Sequence, residues 1–128
     1  MIFENIHYLL QFDDRGNLLA LVSKSSGRNY IVKDGCSLFR LTMTEIIKNR
    51  VMPGTLALTG DMAEQIDFIQ QSQCLEIDYR NLDGMPVTVK CTIGFMDEEI
   101  HWNILIENKT RFAVSEIEYP VLLFKPYL

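Results

Sequence analysis

Clustered basic residues are what this 128-residue sequence most plainly lacks: 12 Lys and Arg stand against 17 Asp and Glu, a net charge of −5. Phosphate backbones are held by grouped cations, so a general nucleic-acid surface is excluded. Long hydrophobic runs are missing too, and the longest falls far short of the ~20 residues that span a bilayer. Cysteine is sparse, at Cys36, Cys74 and Cys91. Three widely spaced thiols make neither a paired disulfide framework nor a Cys-x-x-Cys metal motif; they read as buried free thiols, which favours a cytoplasmic setting, or a secreted one if the chain is cut from a longer enzyme. No leader is expected, because Met1 is followed almost at once by a strand over His7 to Phe12. Low-complexity tracts and long amphipathic helical patterns are also lacking. With 48% apolar residues the chain should bury one core, as a single β-sandwich domain over residues 1–128 or as a piece of a longer multidomain chain.

Alternation is what the sequence does have. From Cys74 to Pro120, apolar and polar residues take turns through successive short segments, the period of strands with one buried face. Val87, Val89, Cys91, Ile93 and Phe95 form one apolar row, and Ile100, Trp102, Ile104 and Ile106 another. A loop over Met96 to Glu99 sets Phe95 opposite Ile100, Ile93 opposite Trp102, Cys91 opposite Ile104 and Val89 opposite Ile106, so every inward residue meets an inward residue. At Asn81-Leu82-Asp83-Gly84-Met85, a two-residue Asp-Gly loop pairing Leu82 with Met85 would mix the faces. A three-residue loop over Leu82 to Gly84, with glycine left-handed, pairs Tyr79 with Val87, Ile77 with Val89 and Leu75 with Cys91, and keeps the faces apart. This predicts a bulged hairpin followed by a second one, with Phe112 to Tyr119 as the fourth member of the same meander. Cys74 then lies on the opposite face from Cys91, which argues against a disulfide between them.

The first half is less regular. His7 to Phe12 and Leu18 to Ser23 flank the turn Asp13-Asp14-Arg15-Gly16-Asn17, predicting a hairpin whose leucines load both faces, as in a strand pair covered on both sides. Ser25-Ser26-Gly27-Arg28 marks the next turn. Strands are then expected at Tyr30 to Val32 and Ser37 to Thr42, where Phe39 and Leu41 supply core and Arg40 and Leu38 point outward. Thr44 to Arg50 is read as one helical turn ended by Met52-Pro53-Gly54, before strands at Thr55 to Leu58 and Gln65 to Gln71. Nine or ten strands with closely spaced turns give an all-β fold, an antiparallel β-sandwich.

The segments Phe12-Asp13-Asp14-Arg15-Gly16-Asn17-Leu18, Lys24-Ser25-Ser26-Gly27-Arg28, Leu38-Phe39-Arg40-Leu41, Asn81-Leu82-Asp83-Gly84-Met85-Pro86-Val87, Glu99-Ile100-His101-Trp102, Ile106-Glu107-Asn108 and Ile117-Glu118-Tyr119-Pro120 follow one another in a telling order. Together they resemble the N-terminal β-sandwich module of large bacterial glycoside hydrolases, of the galactose mutarotase-like supersandwich type. The similarity covers nearly the whole chain and rests on turn and core positions, which say little about any sugar. It implies a non-catalytic module that precedes a (β/α)8 barrel bearing the catalytic carboxylates. The apolar end Val121 to Leu128 is then docked in its own sandwich, buried against a second copy, or continued in a longer polypeptide.

Candidates for chemistry are few. The mutarotase family sets a pair of histidines and a carboxylate in one cleft, whereas this chain has only His7 and His101. His101, outward beside Asn103 and Thr92, reads as a surface residue. Asp97, Glu98 and Glu99 are adjacent in a turn, unlike the separated carboxylate pair of a glycosidase. Asp13, Asp14 and Asn17 lack the six or more oxygens and the spacing of a calcium loop. Trp102, an obvious sugar platform by type, has the parity of the buried face. Tyr8, Tyr30, Phe112 and Tyr127 have unclear parity, and none is assigned to a site.

No residue is therefore predicted as catalytic, none as a metal ligand, and the carbohydrate-binding residues are left open; no cofactor is called for. The expected function is a non-catalytic accessory module of a carbohydrate-active enzyme, packing against a catalytic domain or framing a glycan cleft. The alternative is a free-standing carbohydrate-binding or scaffold protein that self-associates through its apolar C-terminal strand. A small enzyme of mutarotase type is the third and weakest reading. The expected partners are a catalytic domain of the same polypeptide or a second copy of the chain, with carbohydrate as a further candidate, and neither nucleic acid nor membrane.

Overall fold

The computed structural model describes residues 1–32, 36–52 and 54–124. Twelve strands occur among them: β1 (Ile2–Glu4), β2 (Tyr8–Phe12), β3 (Leu18–Ser23), β4 (Arg28–Asn29), β5 (Arg40–Ile47), β6 (Arg50–Val51), β7 (Leu56–Thr59), β8 (Ala63–Gln71), β9 (Cys74–Leu82), β10 (Val87–Met96), β11 (Glu99–Asn108) and β12 (Phe112–Glu118). They form three antiparallel sheets, so the fold is all-β and sandwich-like. One sheet runs β1-β2-β3-β4, a second β11-β10-β9-β8, and a third β12-β5-β6 with β7 also paired to β5.

One apolar cluster joins the three sheets. Phe3 of β1 stacks on Phe95 of β10 with ring centroids 4.4 Å apart, tying the first sheet to the second. Phe39, just before β5, meets Tyr79 of β9 edge-on at 4.9 Å, tying the approach to the third sheet to the second. Leu75, Ile77 and Tyr79 on β9, and Val87, Val89, Cys91 and Ile93 on β10, are wholly buried. Burying one such side chain contributes about 1.5–3 kcal/mol, so these two central strands anchor the domain.

The register of β10 on β11 agrees with the alternation in the sequence: Phe95 faces Ile100, Ile93 faces Trp102, Cys91 faces Ile104 and Val89 faces Ile106. The connecting loop is shorter than the spacing predicts, because Met96 also pairs with Glu99 and leaves only Asp97 and Glu98 to turn. On the other side of β10 the faces agree but the register is two residues off: Tyr79 faces Val89, Ile77 faces Cys91 and Leu75 faces Ile93. Here Asp83 and Gly84 do form the tight two-residue turn, both at positive φ (53° and 72°), with the Met85 N–H bonded to the Leu82 carbonyl. An extra residue between Met85 and Val89 then restores the parity that this turn alone would break.

Three further expectations are corrected. The segment after the Asn108 turn is a strand but leaves the meander: β12 pairs with β5 in the third sheet, with a bulge between Val114 and Glu116. Alternation shows that a strand has a buried face and not which sheet receives it. Thr44 to Arg50 contains no helical turn; β5 runs on to Ile47, reverses at Lys48 and Asn49, both at positive φ, and returns as β6. Leu38, read as outward, is wholly buried, because it precedes β5 in a non-strand segment where parity does not apply, whereas Arg40 is exposed as expected.

Tyr30 to Val32 likewise makes only an isolated bridge, Ile31 to Phe124, following the two-residue β4. Val121 to Phe124 lies on its own domain: the Val121 N–H donates to the Leu38 carbonyl and the Val32 N–H to the Leu123 carbonyl. Pro53, Tyr127 and the rest of the apolar end beyond Phe124 lie outside the described residues.

Candidate functional site

A surface recess among the described residues is built by turns that meet at one end of the molecule. In the β1–β2 turn, the Asn5 Oδ1 accepts hydrogen bonds from the backbone N–H of His7 (2.9 Å) and of Tyr8 (2.7 Å). This local closure is why asparagine suits the position. The Tyr8 hydroxyl donates to the Glu98 carbonyl at 2.7 Å, fastening the β10–β11 turn to β2. From the β3–β4 turn, Lys24 pairs with Glu4 at 2.8 Å.

These contacts frame an open cleft of about 550 Å³ in which His7, Glu4, Lys24, Gln73 and Asp97 take part. A neighbouring recess brings His7 against Met96, Asp97, Glu98 and Glu99. The His101 Nε2 lies 2.9 Å from a Glu99 carboxylate oxygen on the same rim. Both histidines of the chain thus border the Asp97–Glu99 turn, a juxtaposition of residues far apart in sequence. Carboxylates, imidazole and amide at one rim offer several acceptors and donors to a hydroxyl-rich ligand.

A second polar group lies on the outer face of the second sheet. Asp78, on β9, is 2% exposed although its strand position faces away from the core row of Ile77 and Tyr79. Its Oδ2 accepts from the Arg80 guanidinium at 3.2 Å, and Arg80 in turn donates to Asp67 of β8 at 3.2 Å. Its Oδ1 meets no donor among the described residues. Glu76, next outward on the same strand, has its carboxyl pushed above the ordinary value by sharing a hydrogen bond with Asp78, and further by desolvation and by that neighbour's charge.

Trp102 faces inward opposite Ile93, half-buried, with Tyr119 edge-on at 6.3 Å. Its ring is engaged with the core and is not laid open as a platform. The Tyr119 hydroxyl donates to the Thr92 carbonyl, and burial pushes its titration upward. Asp13 spends its carboxylate on the turn itself, accepting from the N–H of Arg15 and of Asn17, each at 2.9 Å. Tyr30 and Phe112 pack against the core. The three cysteines are free, but only Cys91 is buried, its thiol pushed upward by that burial; Cys36 and Cys74, expected to be buried, are half-buried.

Sequence reasoning missed the meeting of His7 with the Asp97–Glu99 turn, for which neither segment carries a local signal. Asp78 could have been noticed, as a carboxylate between the core residues Ile77 and Tyr79. Among the described residues no group of His, Cys, Asp and Glu is disposed to hold a metal ion, and no helix is long and apolar enough to cross a membrane. Compared with protein-family models and with curated proteins, the chain matches none.

Proposed function

We propose that the chain is a non-catalytic accessory β-sandwich module of a carbohydrate-active enzyme of the glycoside hydrolase type, one that packs against a catalytic domain of the same polypeptide. The resemblance of its turn and core segments to such modules suggests the class. The structural observation that carries the packing role is the β5–β6 hairpin, where Ile46 and Val51 pair across the strands while 47% and 70% exposed. Two apolar side chains held side by side in water are what a neighbouring domain would bury. The three free thiols support a cytoplasmic setting.

A second reading, a free-standing carbohydrate-binding protein, is favoured by the cleft at His7 and the Asp97–Glu99 turn. The two are separable. Aryl glycosides and pure sugar anomers offered to the purified chain should be neither hydrolysed nor mutarotated, and turnover would sink the non-catalytic reading. An Ile46→Lys/Val51→Lys variant should keep its melting temperature and lose binding to the proposed catalytic domain, expressed separately. Glycan-array binding that disappears in His7→Ala, with docking unaffected by the hairpin variant, would favour the second reading instead.

A further inference from the structure

The second sheet ends in an edge that is long, regular and unguarded. β11 is ten residues long and pairs with β10 without interruption, and among the described residues no backbone hydrogen bond is made on its far side. Exposed edges are ordinarily protected by Lys, Pro or a bulge. β11 contains no Lys and no Pro, its register shows no bulge, and its two carboxylates, Glu99 and Glu107, stand towards its ends and leave the stretch from Ile100 to Ile106 without an acid. The edge strand β12, by contrast, is bulged.

The side chains show the same incompleteness. On β10 the inward residues Val87 to Ile93 are wholly buried, but their partners Ile100, Trp102, Ile104 and Ile106 on β11 are only half-buried, and outward Leu105 is 56% exposed. The core therefore ends beneath β10 and leaves the inner face of β11 partly in water.

We propose that β11 is the pairing edge for a second copy of this chain, the two β11 strands lying antiparallel about a two-fold axis to make one continuous eight-stranded sheet. Inward residues must meet inward residues, which leaves two central registers. One places Asn103 opposite itself and sets Glu99 against Glu107 of the second copy, two like charges. The other places Ile104 opposite itself, Trp102 opposite Ile106, Asn103 opposite Leu105 and His101 opposite Glu107. The second register joins apolar to apolar inside and a cation-capable ring to a carboxylate outside, twice over by symmetry. It extends the apolar interior across the axis and covers Leu105. The proposal adds a partner to the module reading and rests on different residues from the hairpin.

Sedimentation velocity over a concentration series tests it, with emission of Trp102, the single tryptophan, as a second readout. A mass twice the 14.8 kDa of the chain is expected, with emission shifting to the blue as dimer forms. Glu107→Lys should weaken the dimer about tenfold or more, one decade of affinity being about 1.4 kcal/mol. His101→Glu combined with Glu107→Lys should restore it, since the opposed pair is again of unlike charge. Leu105→Lys, altering an exposed side chain, should also weaken association while the thermal melt stays two-state. A protein that remains monomeric at every concentration overturns the proposal, as does a dimer indifferent to both Glu107→Lys and Leu105→Lys. Either result leaves the non-catalytic reading standing, because that reading is tested by turnover and not by mass.

Discussion

The Tyr79 hydroxyl donates a 2.6 Å hydrogen bond to the Gly16 carbonyl, linking the centre of the second sheet to the β2–β3 turn of the first. Tyr79 is wholly buried, and that burial pushes its hydroxyl's titration far upward, which favours the protonated form that donates this bond. Gly16 is required there twice over. Its φ is +72°, and a Cβ at this position would come 2.5 Å from the Tyr79 hydroxyl oxygen.

Tyr79→Phe should therefore destabilise by about 1–2 kcal/mol, the cost of a buried carbonyl losing its donor. Gly16→Ala should cost more, since it adds backbone strain to the clash. The double variant should be less damaging than the sum, because removing the hydroxyl opens part of the space the new methyl needs. Urea denaturation of the four proteins gives the cycle, and strict additivity would show that the two residues do not act through this contact.

Glu76 and Asp78 predict a pH dependence. The folded state raises the Glu76 carboxyl above its ordinary value of 4.5, chiefly through the hydrogen bond with Asp78, so folding favours the protonated form. Its contribution is complete below the unfolded value and is lost as pH rises through the folded one. Glu76→Gln keeps a donor for the Asp78 carboxylate at every pH. The variant should match the parent in melting temperature below about pH 4 and exceed it at pH 7. A constant difference across that range would disprove the coupling.

The β5–β6 turn allows a test of sign. Lys48 and Asn49 hold φ of 51° and 61°, a left-handed backbone that costs an ordinary L-residue about 1–2 kcal/mol. Replacing them with Asn-Gly, the pair best suited to such a turn, should stabilise the protein by about 0.5–1 kcal/mol. Were this segment a helical turn, glycine would destabilise it by about 1 kcal/mol instead. Chemical denaturation of the Lys48→Asn/Asn49→Gly variant distinguishes the two.

Much of the second sheet was legible in the sequence, since Val87 to Phe95 and Ile100 to Ile106 alternate strictly and the short loop between them selects, among the registers that keep all of them inside, the one observed. The β9–β10 register was legible in face but not in position. Parity is preserved by a shift of two residues, and only the closed geometry at Asp83-Gly84 and the extra residue after Met85 chose between them. Leu38 and the Lys48–Asn49 turn failed for a related reason: periodicity informs only within a regular element, and both stand at its end or beyond. The cleft was the least legible, because His7 and Asp97 belong to turns distant in sequence, brought together where the Tyr8 hydroxyl donates to the Glu98 carbonyl.

By itself the sequence determined the all-β class, the buried faces of β9, β10 and β11, the inward position of Trp102 and the left-handed glycine at Gly84. All of these follow from local sterics and from a two-residue period. Tertiary structure alone decided that β12 leaves its neighbours to join β5, that both histidines border one acidic turn, and that the core stops short of β11. These depend on which sheet packs where, and that is set by the summed burial of side chains distant in sequence, which no local pattern encodes.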